Sequence, residues 1–172
     1  GRVREQRVAS RATRIPQFSY ERVGVMLRDV LLVGGIVFAA ATLGILSRPI
    51  GMLAAFWPAN ALLLGLFVRI PSLARPAGWI AAFAGFMAAD LLAGGEMALT
   101  LWMTAANLVG VAVGFILFQQ LPEADRRLQR ALSILYMFGI SMIAGAASAI
   151  VGSSVAAIAQ GVDLWRGTGS WF

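Results

Sequence analysis

Three strongly polar side chains interrupt otherwise apolar stretches of this chain: Asn60, inside Phe56-Trp57-Pro58-Ala59-Asn60, and further along Asp90 and Asn107. An amide offers donors and an acceptor in one plane, so it can orient a ligand or pair with a second amide. A carboxylate in hydrocarbon is costly to maintain and points to an ion, a proton or a ligand. Pro58 removes a backbone donor and crowds the preceding turn, so a helix through it kinks or starts afresh and frees carbonyl groups. These features describe a pocket. Carbonyls near Pro58 and the side chains of Asn60 and Asn107 would hydrogen-bond a small ligand, and Asp90 would supply charge or a titratable proton. Trp57 stands at the break, Thr104 and Ser148 extend the lining, and Arg48 is the nearest candidate counter-ion to Asp90. The plainer alternative is that Asn60 and Asn107 bond each other or the backbone as interhelical glue, with Asp90 shallow enough to reach water.

Catalysis finds no footing. The chain has neither Cys nor His. That removes the common acid–base and nucleophilic triads, thiolate chemistry, and the usual protein ligands of zinc, iron–sulfur clusters and haem. No cofactor and no metal is expected. Gly167-Thr168-Gly169 lacks the strand and helix context of a phosphate loop.

The elements that must position these residues are membrane helices. Of 172 residues, 59% are hydrophobic and 13% charged, too apolar a balance for a soluble domain of this size. The expected fold is an all-α polytopic transmembrane helix bundle with five spanning helices and the start of a sixth. The expected helices are Asp29–Leu46, Ile50–Val68 with the Trp57-Pro58 break, Ala77–Ala93, Met97–Leu121 and Ala131–Ala159, with a further crossing beginning at Trp165–Phe172. Helical rise places Asn107 about 15 Å below the start of its helix. Asn60 lies at a similar depth and Asp90 near the end of its helix, so all three converge in one half of the bundle. Gly110 with Gly114, Gly85 with Ala89 and Gly145 with Ala149 are small-residue steps that let helices approach closely, within the chain or between copies. Trp57, Trp79, Trp102, Trp165 and Trp171 read as interfacial anchors or packing residues more than as a binding cage.

The net charge of +6 comes from 14 arginines with no lysine, against 8 acids. The arginines stand between apolar runs and do not form a groove-sized patch, which argues for membrane orientation and against nucleic acid. Residues 1–28 form a basic cytoplasmic juxtamembrane arm carrying Arg2, Arg4, Arg7, Arg11, Arg14, Arg22 and Arg28, with Pro16 breaking any continuous helix. The arm either binds anionic lipid head groups or only fixes topology. On alternate sides of the expected layout the arginines divide twelve to two. The amino terminus is therefore expected in the cytoplasm, with the Arg48, Glu96 and Asp163 loops outside. Residue 1 is Gly, not Met, which suggests a piece of a longer protein.

Phe56-Trp57-Pro58-Ala59-Asn60, Ala106-Asn107-Leu108, Ala144 to Ser154 and the closing Trp165-Arg166-Gly167-Thr168-Gly169-Ser170-Trp171, in that order and spacing, resemble the bacterial integral membrane sensor domain known as the membrane-associated sensor, type one, over about residues 30–172. The resemblance implies about eight helices in a bacterial inner membrane and a cytoplasmic output beyond residue 172. That output would be a diguanylate cyclase, a cyclic-di-GMP phosphodiesterase or a histidine kinase, with homodimerisation through it. Two departures stand out: Ala61 where the family often has Gly, and the absence of the family's Asp-Gly element and last helices. On this reading residues 29–172 are a transmembrane sensory domain for an unknown small ligand or membrane protein partner, in contact with membrane lipids. The rival readings are a transporter or transporter-associated subunit, and a structural subunit of a membrane complex.

Overall fold

The computed structural model describes residues 17–47 and 57–160, and among these it is helical without a strand. Helix α1 is Gln17–Leu46, α2 Pro58–Arg69, α3 Pro76–Leu92, α4 Met97–Gln119, α5 a single turn at Glu123–Arg126, and α6 Ala131–Gln160, with a 3-10 turn at Pro71–Leu73. Three stretches, Arg22–Leu46, Met97–Gln119 and Ala131–Ser154, are long and apolar enough to cross a membrane. At the helical rise α2 is about 18 Å long and α3 about 26 Å, both short of a ~30 Å hydrocarbon core. Among the described residues, three helices meet the length and apolarity of a full crossing, and α2 and α3 are shorter apolar helices.

Two expected boundaries change. The first helix starts at Gln17 and not at Asp29, because Glu, Arg, Met and Leu between them all sustain a helix. The arginines mark where the helix leaves the apolar zone, not where it begins. Arg22 and Arg28 therefore project from α1 and belong to no separate arm, with Arg28 paired to Asp29 at 3.2 Å on the surface. Arg2, Arg4, Arg7, Arg11, Arg14 and Arg48, and the expected sixth crossing at Trp165–Phe172, lie outside the described residues. The second change is at α2, which begins at Pro58 itself. Proline suits a first helical position, where its missing N–H has no intrahelical partner to lose.

Small residues set the packing. A Cβ added to Gly85 would fall 2.7 Å from the Gly34 carbonyl oxygen, so α1 and α3 touch backbone to backbone. A Cβ at Gly110 would lie 2.9 Å from the Ala144 carbonyl oxygen and from Ser148 Cβ, and one at Gly114 would meet Leu64 at 2.9 Å. The Gly110/Gly114 step is thus consumed inside the chain, between α4, α6 and α2. In α6 the contact runs along Ala144 and Ser148. Gly145 meets nothing within 4 Å, so the Gly145/Ala149 step is not the packed one.

Between these two close pairs lies α2, whose Leu63 and Phe67 are fully buried with Val33, Val37 and Val111. The Phe67 ring meets Trp79 at 4.8 Å and Phe115 at 6.2 Å, fastening α2 to α3 and α4. Trp102 donates from Nε1 to the Val151 carbonyl at 2.7 Å and ties α4 to α6. Both tryptophans are packing residues. On α6, by contrast, Leu132, Ile134, Leu135 and Phe138 are all more than half exposed. A surface of that kind fits lipid and not water.

Gly110→Val should destabilise the α4–α6 pair by about 1–3 kcal/mol, since its side chain must displace backbone. Gly145→Ala should be close to neutral. Thermal unfolding of the two variants in the same detergent checks the contrast.

Candidate functional site

The carboxyl-terminal part of α1, the first turn of α2, the last turns of α3, the first half of α4 and the middle of α6 meet at one end of the bundle. They enclose a cavity of about 570 Å³. Its wall includes Trp57, Asn60, Asp90, Thr104, Asn107 and Ser148, so six of the seven residues expected in a pocket are brought together. Pro58 is the exception: it starts α2 and does not line the cavity. Arg48 falls outside the described residues.

Asn60 sits in the first turn of α2, where backbone donors have no intrahelical partner. Its Nδ2 donates to Asn107 Oδ1 at 3.0 Å, across from the middle of α4. The interhelical amide bond expected as glue is therefore formed. It uses one donor and one acceptor of the pair and leaves Asn60 Oδ1 buried without a partner among the described residues. An orphaned buried acceptor costs about 1–3 kcal/mol unless something donates to it. The buried Thr104 and Ser148 extend this polar wall, 3% and 5% exposed.

Asp90 ends α3 facing α4. Its Oδ2 accepts from Thr100 Oγ1 at 2.8 Å, and its backbone carbonyl accepts from the Gly95 amide at 2.9 Å. The turn between the helices is built for that bond. Gly94 adopts a φ of +89°, and a Cβ on Gly95 would come within 2.6 Å of Thr100 Oγ1 and 3.1 Å of Asp90 Oδ2. None of the described arginines forms an ion pair with Asp90; the described pairs involve Asp29, Glu123 and Asp125.

At the surface end of the cavity stands Glu96, fully exposed and capping α4: its carboxylate accepts from the Leu99 amide at 2.9 Å and the Ala98 amide at 3.1 Å. These two bonds, Leu99's first, hold its pKa below the ordinary 4.5. Trp57 lies flat against α1 at Gly44, where a Cβ would be 2.6 Å from Cε3. Phe86, buried, completes the aromatic part of the wall.

Thr100, Glu96, Gly95 and Phe86 were not singled out in the sequence. Glu96 was legible in principle, as an acid placed two and three residues before free helix-start amides. Thr100 was not, because its approach to Asp90 depends on the turn. Asp125, away from these sites, is 2% exposed and accepts from Ser133 Oγ at 2.9 Å, with Arg130 at 3.9 Å. It lies at the far end of α4 from the cavity and fastens α5 to the start of α6. Comparison with protein families, curated proteins and solved structures finds no match for this chain.

Two outcomes follow. In a double-mutant cycle of Asn60→Ala and Asn107→Ala, unfolding should report a coupling of about 0.6 kcal/mol, within a range up to ~1.7 kcal/mol, as expected for interhelical hydrogen bonds in membranes. The Glu96 cap should be pH-dependent. Because its folded pKa is depressed, its stabilisation is fully present above the unfolded value of 4.5 and is lost as pH falls through the folded pKa. The difference in melting temperature between wild type and Glu96→Ala should therefore stay constant at neutral pH and shrink in acid.

Proposed function

We propose that this chain is a membrane-embedded sensory module that binds a small ligand between its helices and regulates a cytoplasmic signalling output. The observation that carries the reading is the convergence of polar side chains from α2, α3, α4 and α6 on one cavity inside an apolar bundle. A cavity of about 570 Å³ falls in the range of small-molecule sites. The sequence resemblance to the type-one membrane-associated sensors supplies the signalling part of the proposal, with a bacterial inner membrane as its setting and a diguanylate cyclase, phosphodiesterase or kinase as its output. In this reading five helices cross or enter the membrane, and the arginine distribution puts the amino terminus in the cytoplasm. The Glu96 end of the cavity then faces outward. A ligand acts by binding two helix arrangements unequally and shifting their populations. The moving part is α2, which starts at Pro58 and is the shortest of the long elements.

A transport reading is favoured by one feature, a helix that begins inside the bundle beside polar groups, as in transporters that hold substrate near mid-membrane. The sequence has no inverted repeat and no second broken helix to match it.

Spin labels at the exposed positions Leu62 on α2 and Ile143 on α6 report the relative placement of the two helices. In the sensory reading, Asp90→Asn shifts the distance distribution toward one of two populations while expression stays normal. A single distribution, identical in wild type and variant, overturns it.

A further inference from the structure

Every charged side chain among the described residues that line the cavity is acidic: Asp90 on its wall and Glu96 at its mouth. Thr100 occupies Oδ2 of Asp90, and no donor among the described residues is bonded to its Oδ1. The neutral polar groups of the wall, Thr104, Asn107 and Ser148, can donate as well as accept, so the carboxylate is what sets the charge of a ligand. The wall also carries two aromatic side chains, Trp57 and Phe86, whose ring faces are electron-rich. A carboxylate or phosphate ligand would meet two like charges with no described cation to offset them. A neutral apolar ligand would leave the Asp90 carboxylate without a counter-charge.

An organic ammonium ion suits a wall that combines a carboxylate, neutral polar groups and aromatic side chains. Its N–H donors can meet Asp90 Oδ1, its charge is balanced by the Asp90 carboxylate, and its carbon skeleton can pack on the aromatic side chains of the wall. Outside, the Glu96 carboxylate, kept ionised by its two backbone donors, attracts a cation to the entrance. We propose that the cavity is a binding site for a small organic monocation, an amine in its ammonium form, held by Asp90. The proposal rests on the reading of the cavity as a ligand site and adds the charge class of what it takes.

The test uses the full chain in nanodiscs of zwitterionic lipid at pH 7 and three probes of matched skeleton: cyclohexylamine, cyclohexanol and cyclohexanecarboxylate. Tryptophan fluorescence, with Trp57 in the wall, is followed as each is titrated. Saturable binding of the amine is expected, with the alcohol and carboxylate weaker by about tenfold or more. Asp90→Asn, whose amide oxygen can still accept from Thr100, should weaken the amine by about tenfold while leaving the melting temperature near that of wild type. Asp90→Glu should restore part of the affinity, and Glu123→Gln, far from the cavity, should change nothing. Preference for the carboxylate, or equal binding of amine and alcohol with no effect of Asp90→Asn, overturns the charge assignment and leaves a ligand site standing. Failure of all three probes to saturate overturns both the assignment and the ligand-site reading.

Discussion

Backbone contact between helices is the constraint on which this structure depends. In a surrounding of hydrocarbon, apolar side chains gain little by leaving lipid for one another, so helix association relies on close packing and on hydrogen bonds that lipid cannot supply. Here the close packing occurs at two seams, Gly34 with Gly85 and Gly110 with Ala144. Each seam brings two helices into backbone contact. The space left between the seams is filled by α2 at one end, through Leu63 and Phe67, and is left open at the other, where α2 begins. The cavity is thus a direct consequence of a short second helix wedged between two tightly packed pairs.

The polar groups follow from the same geometry. Where helices leave an opening between them, a side chain facing inward meets neither lipid nor a close neighbour, and amide, hydroxyl and carboxylate groups become tolerable if they find each other. Asn60 finds Asn107, and Asp90 finds Thr100, each pairing one helix with the next across the opening. At the opposite end of α4, the buried carboxylate of Asp125 is closed off by Ser133 and Arg130. A satisfied buried carboxylate locks a loop, whereas one with a free oxygen beside a cavity has capacity to bind.

The sequence made the site more legible than the fold. Asn60, Asp90 and Asn107 stand out because polar residues are rare in apolar runs, and helical rise places them in one half of the bundle. Their neighbours in space could not be found that way. Thr100 is ten residues from Asp90, and only the left-handed Gly94 and the side-chain-free Gly95 fold it back into reach. The α6 seam shows a similar limit: Ala144 and Gly145 are both small, hydropathy is nearly uniform around the helix, and no pattern in the sequence fixes which of the two faces α4. At α1 the Arg-rich stretch suggested a break that is absent among the described residues from Gln17 onward, since charge bears on the membrane boundary while helix propensity bears on the helix.

The difference between the two halves of the Asn60–Asn107 pair bears on how occupancy could be transmitted. Asn107 is anchored in the middle of α4, whose backbone is pinned to α6 through Gly110 and Trp102. Asn60 is carried by the first turn of α2, a helix whose Ala59, Leu63 and Phe67 are all fully buried. In the sensory reading, a ligand that alters the Asn60–Asn107 bond acts on the contact between α2 and α4, and through α2, which also packs on α1, it would bear on the arrangement of the bundle.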